Sequence, residues 1–193
     1  MSPQRKFWMR WRVRVGYPIA VVYWMLAAPT PRAILTGGVI AAIGLLVRGF
    51  AAGYLRKDQQ LAVAGPYAHS RNPLYLGSSF LAVGFVIAGH SWVAGGLLMA
   101  YFAVFYYAVM RNEQADLRGR FGADYESYAA RVPLFFPRVF PSAKMPPLAE
   151  AEAGHEFSWQ LYRRNREYRA LLGTVGALGA VTLRIWVRAH CGH

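Results

Sequence analysis

The chain has 193 residues, with 22 Lys+Arg against 9 Asp+Glu, 55 % hydrophobic and only 16 % charged residues. A soluble domain carries about 25 % charged residues, so this one is too apolar and too unbalanced in charge for that class. Nucleic-acid binding is excluded because the basic residues sit at the ends of long apolar blocks; the aromatic content excludes disorder, and the lone Cys191 a disulfide scaffold.

In chain order, the first apolar block runs from Val15 to Ala28 and stretches to Pro31, giving a span over about 15–31. Basic residues precede it as in a signal peptide, but no A-x-A-like site follows, so it reads as a retained signal-anchor. The second block, 33–55, contains one charge, Arg48, expected to snorkel to the cytoplasmic face, and Gly49-x-x-x-Gly53, a helix-packing signal. The third and fourth blocks, 74–89 and 92–110, are separated only by His90 and Ser91, which forces an antiparallel helical hairpin. A helix needs about 20 residues to cross about 30 Å of hydrocarbon, so these are spans with little to spare.

Residues 111–132 read as two short cytoplasmic helices. Leu117 and Phe121 form an apolar stripe ended by Gly122, and Asp124 caps a second helix with Tyr125, Tyr128 and Val132 on one face. These elements make up a membrane core over 1–140. Residues 141–169 form a linker and basic segment, and 170–187 a fifth span or an interfacial helix ending at Arg184 and Arg188. The fold class is therefore all-α, a polytopic transmembrane bundle of four to five spans.

Orientation follows from the positive charges. Segments 1–14, 56–73 and 111–169 carry five, three and ten Lys+Arg, eighteen together, whereas Arg32, Arg184 and Arg188 fall on the other side. The larger count belongs in the cytoplasm, with the N-terminus. Cys191 is third from the end, so no prenylation motif is present. His190-Cys191-x-His193 is a terminal tail, and no metal site is expected there.

Two stretches carry chemistry. In G65-P-Y-A-H-S-R-N-P-L-Y-L-G77, Pro73 stands where the first turn of a helix would be, and the first-turn N–H groups with Arg71 would face an anion such as a carboxylate. An interfacial belt of Arg and Tyr gives the same pattern. At the end of the uncharged fourth block, Glu113 could receive a cationic group; the bland reading pairs it with Arg111 or Arg118.

Taken together, GPYAHSRNPLYLG and NEQADLRGRFGADYESYAARVPLFFPR, separated by one hairpin, resemble the isoprenylcysteine carboxyl methyltransferase and phospholipid methyltransferase family of membrane enzymes. Members show G-P-Y, R-H-P or R-N-P, a Tyr and Gly, then E-E, Leu, F-G, two tyrosines and V-P. The resemblance spans roughly residues 56–138 and implies S-adenosylmethionine as methyl donor, bound on the cytoplasmic side. By position it assigns Tyr67, His69, Arg71, Asn72, Pro73, Tyr75, Glu113 and Gln114 to cofactor binding, with Arg71 and Glu113 catalytic. Asn72 replaces the common His of the triplet, and Gln114 replaces the second glutamate, leaving less negative charge for a cationic donor.

The implied reaction is an in-line displacement on a lipophilic or small acceptor entering from the bilayer: a carboxylate, a thiolate or a lipid amine. Its site must exclude water and hold the reacting atoms about 3–3.5 Å apart. Arg71 would grip either the acceptor's carboxylate or the donor's; an amine acceptor would need deprotonation by Glu113 or His69. Two rivals remain: a sterol-reductase-like oxidoreductase using NADPH, and a non-catalytic binding module with the same fold, for which Gln114 speaks.

Overall fold

The computed structural model describes residues 3–56, 60–140 and 156–191, and among these every regular element is helical. The order is α1 (Pro3–Leu26), α2 (Pro31–Tyr54), a 3₁₀ turn (Gly65–Ala68), α3 (Pro73–Gly89), α4 (Trp92–Arg131), α5 (Trp159–Arg164) and α6 (Tyr168–Cys191). By length and composition α2, α4 and α6 suffice to cross a membrane, and α3 is a shorter apolar helix of 17 residues. The chain is a polytopic helical bundle.

Helix starts are set by local chemistry. Thr30 accepts from the Ala33 N–H and Pro31 takes the first position of α2, so Pro31 opens the second helix and does not close the first. The first helix is also longer than the apolar block, beginning at Pro3. His90 adopts a left-handed φ of 46° and Ser91 caps α4 through the Ala94 N–H, which makes the α3–α4 turn tight.

Small residues set the central contact. Gly37 and Gly44 of α2 meet Gly84 and Gly77 of α3 so closely that a Cβ at Gly37 would lie 2.3 Å from the Gly84 carbonyl oxygen, and one at Gly44 2.6 Å from that of Gly77. Without a hydrophobic force between helices in lipid, such backbone approach is what holds a pair together.

The helices alternate in direction, so one end of the bundle gathers the start of α1, the end of α2, the start of α3, the later part of α4 and the start of α6. At the opposite end Arg184 of α6 donates to the Met25 carbonyl and lies over the Trp24 ring, and Arg188 reaches the Ala27 carbonyl. These arginines satisfy carbonyls left open where α1 stops.

Beyond the fourth apolar block the helix does not pause at 110/111. It runs on to Gly122, whose φ of 48° and ψ of −119° bend the chain before a final stretch to Arg131. The first of the two expected short helices is thus a continuation of α4, and the break falls at Gly122 as expected. The second carries Tyr125, Tyr128 and Val132 into a buried cluster with Leu117 and Phe121. Most of the expected linker, 141–155, and the end of the His190-Cys191-x-His193 tail lie outside the described residues.

Candidate active site

The two sequence motifs are laced together by the chain that follows them. The Arg71 N–H donates to the Pro133 carbonyl (2.9 Å), Ser70 Oγ to that of Phe135 (2.9 Å) and Asn72 Nδ2 to that of Leu134 (2.9 Å). The Arg138 N–H donates to the His69 carbonyl (3.0 Å), while His69 Nδ1 faces the Arg138 carbonyl at 2.8 Å. Two prolines, 133 and 137, keep 132–138 out of helix, so its carbonyls are available to this loop.

A cavity of about 380 Å³ opens at this end of the bundle. Tyr67, Arg71, Asn72, Pro73, Tyr75, Glu113 and Gln114 all line it, so two segments some forty residues apart in sequence meet on one space. His69 does not line it; its ring is engaged by the Arg138 carbonyl. Pro73 occupies the first turn of α3, as its position in the motif suggests.

Glu113 faces Tyr75. Its Oε2 accepts from the Tyr75 hydroxyl at 2.8 Å, and Arg118 is engaged by Glu126. Arg71 Nη1 donates to the Tyr125 hydroxyl at 3.3 Å, and the Tyr128 hydroxyl donates to the Tyr67 carbonyl at 2.8 Å. Burial pushes the Tyr67 phenol well above its usual range, the Glu113 carboxylate adding to the effect, so this hydroxyl stays neutral.

Among the described residues, two of this cavity's donors are left without partners. Gln114, 7 % exposed, has a buried Nε2 with no hydrogen bond, and Arg71 has a buried Nε in the same condition. A buried donor left unsatisfied costs about 1–3 kcal/mol, so both are groups that a ligand's acceptor atoms would stabilise. Tyr75 and Tyr106 stand edge to face beside Glu113, offering ring faces and a carboxylate to a cationic group.

Other lining residues were not legible in the motifs. Arg12 enters from α1, Arg56 from just past the end of α2, Arg120 from α4 before its bend, and Asn165 and Glu167 from the segment between α5 and α6. Arg48 does not snorkel. Its Nε donates to Glu167 Oε1, and its Nη1 to Ser78 Oγ and, at 3.4 Å, to the Leu74 carbonyl. Glu167 is 8 % exposed and is held there by Asn165, whose Nδ2 donates to the carbonyls of Ala52 (2.9 Å) and Leu55 (2.8 Å) at the end of α2. Arg166 between them takes a left-handed φ of 55°. The available signal was a lone Asn and Glu inside an Arg-rich stretch that pure solvation would leave uniformly basic. Among the described residues no three His, Cys, Asp or Glu side chains cluster as for a metal.

Residues 33–124 match the family described as phospholipid methyltransferase. Similar curated proteins include the nickel-cobalt-cadmium resistance protein NccN of Alcaligenes xylosoxydans xylosoxydans, 36 % identical over 110 residues, which cover 55 % of this chain and 51 % of the relative. The cobalt-zinc-cadmium resistance protein CzcN of Cupriavidus metallidurans is 30 % identical over 136 residues, 67 % of this chain and 62 % of the relative. The chain therefore spans only about half to three fifths of the length of these relatives. No solved structure matches.

Proposed function

We propose, on the premise that the chain belongs to the phospholipid methyltransferase family through residues 33–124, that it is an integral membrane methyltransferase using S-adenosylmethionine to methylate a lipophilic or small acceptor. The observation that carries this reading is the pair of orphaned donors, Gln114 Nε2 and Arg71 Nε, in one cavity with the Glu113 carboxylate. The donor molecule presents a carboxylate and other acceptor atoms for the former and cationic groups for the latter.

In this reading Arg71 holds a carboxylate, Gln114 donates to a neutral acceptor atom, and Glu113, fixed by Tyr75, receives positive charge. Gln114 thereby has work as an amide that a second carboxylate would not do. When bound, S-adenosylmethionine supplies a sulfonium methyl: the nucleophile's electron pair forms the new bond to carbon while the carbon–sulfur pair returns to sulfur. The chain's part is to exclude water and align the nucleophile, since the displacement itself needs little proton transfer when the acceptor is an anion.

Arginines of α1, α2 and α4 line the site, and the charge bias of eighteen against three supports a reading in which it faces the cytoplasm together with the N-terminus. Titrating the purified chain separately with S-adenosylmethionine and NADPH tests the reading. Saturable binding of the first alone supports it; binding of NADPH alone would mean a reductase, and binding of neither a non-catalytic module.

A further inference from the structure

Glu167 lies outside the family match, yet it is the one residue common to two cavities. Beside the polar cavity runs a groove of about 340 Å³ in which Leu46, Gly49 and Phe50 of α2 face Phe157, Tyr162 and Leu171. Among the described residues Glu167 is the sole charged group lining it; Arg48, its ion-pair partner, lines only the polar side. The groove is bounded by α2 and the start of α6, two of the helices long and apolar enough to cross a membrane.

We propose that this groove holds the hydrocarbon chain of the methyl acceptor, an amphiphile drawn from the bilayer, and that Glu167 is the specificity-determining residue at the point where the acceptor's head passes into the polar cavity. The proposal rests on the methyltransferase reading and adds the place and the selector of its second substrate. An apolar chain gains from the aromatic and aliphatic walls only while its polar end finds polar atoms, and Glu167, shared with the polar cavity, is the charged group the groove offers. A head arriving from the groove meets a carboxylate whose compensating guanidinium lines the polar cavity, so a neutral or cationic head is favoured over an anionic one. An ammonium head gives its proton to the Glu113 carboxylate before its nitrogen has an electron pair for the methyl. The space exists partly because position 49 has no side chain: a Cβ there would already lie 3.5 Å from the Tyr162 ring, and a larger group would fill the groove.

The test uses the full chain in phosphatidylcholine nanodiscs with dodecylamine and dodecanoate, each bearing a photoactivatable diazirine at its chain end, and maps the adducts by mass spectrometry. Adducts of the amine are expected to concentrate on 45–50 and 157–171, about 10-fold above those of the carboxylate, in keeping with like-charge exclusion. Gly49→Leu should abolish this labelling while leaving S-adenosylmethionine affinity, measured by calorimetry, unchanged; Leu171→Trp, on the half-exposed rim, gives the same test should the first variant fail to fold. Glu167→Gln should remove the preference between the probes. Even labelling over all lipid-facing helices would overturn the proposal in favour of annular lipid, and protection of the groove in a dimeric chain would assign it to a second copy. Labelling without donor binding would sink the methyltransferase reading instead, whereas donor binding without groove labelling sinks this proposal alone.

Discussion

The Tyr75 hydroxyl donates to Glu113 Oε2 across 2.8 Å, tying the first turn of α3 to α4 at the level where α4 leaves its uncharged stretch. The bond orients a carboxylate that would otherwise swing among nearby arginines, and it explains why both motifs carry their polar residue at these positions.

Glu113→Gln keeps the shape and removes the charge. Donor affinity should fall by about 1.5–3 kcal/mol, the scale of a hydrogen bond to a charged group, whereas Tyr75→Phe should cost about 0.5–1.5 kcal/mol because the carboxylate remains. Calorimetric titration with S-adenosylmethionine checks both; equal affinities in Glu113→Gln and the parent would remove Glu113 from the donor site.

Arg71→Lys should lower methyl transfer at least about 10-fold, equivalent to about 1.4 kcal/mol, because an ammonium cannot reproduce the planar fork or reach Tyr125 while serving the cavity. Arg118→Lys, in an exposed pair with Glu126 away from the cavity, should be silent. Turnover assays of the two variants decide the matter, and parent-like turnover in Arg71→Lys would return this residue to a boundary arginine.

Arg48→Met leaves the buried Glu167 charge without its partner and should destabilise the chain by about 3–5 kcal/mol. The double variant Arg48→Met/Glu167→Met should recover much of the loss. Thermal unfolding in one detergent measures the difference; a double variant no better than the single would mean that Ser78 and the Leu74 carbonyl, not Glu167, are what Arg48 serves.

Two glycine substitutions should move stability in opposite directions. At Gly84 a Cβ would meet the Gly37 carbonyl oxygen at 2.6 Å, so Gly84→Ala should cost about 1–3 kcal/mol as α2 and α3 are forced apart. Nothing lies within 4 Å of a Cβ at Gly176 on α6, where Ala should instead gain about 0.5–1 kcal/mol of helix propensity. The same unfolding assay tests both signs.

Single cysteines in a Cys191→Ser background test the proposed orientation. Ala123→Cys, exposed after the α4 bend, should react only with cytoplasmic-side reagent, and Trp92→Cys, 97 % exposed at the start of α4, only from the other side. Labelling of both from one side would overturn the assignment of α4 as a span.

Apolar block length and the turn residues made the helices legible, because Pro31, Pro73 and Ser91 act locally. The site was legible wherever its residues fell within two compact motifs, Tyr67 to Tyr75 and Glu113 to Gln114. His69 shows the limit of a motif: its neighbours face the cavity, but a carbonyl from position 138 takes its ring. Arg48 and Glu167 were illegible as a pair for a different reason. They stand 119 residues apart, and only the turn at Arg166 and the Asn165 bonds to α2 bring them together. Nor did periodicity reveal the Gly37–Gly84 and Gly44–Gly77 approaches, since each depends on the register of one helix against another.

The uninterrupted run of α4 from Trp92 to the bend at Gly122 is about 30 residues, or roughly 45 Å at 1.5 Å per residue. Against about 30 Å of hydrocarbon, it behaves as a ruler with roughly 15 Å left over. Glu113 and Gln114 sit on that surplus length, so the height of the polar cavity above the lipid is fixed by how much of one rod the bilayer covers. A thicker bilayer, or a more tilted rod, draws the cavity down toward the acyl chains, and a thinner one lifts it into water. Membrane thickness thereby becomes a variable of the chemistry at a site carried on the part of the rod that the hydrocarbon leaves uncovered.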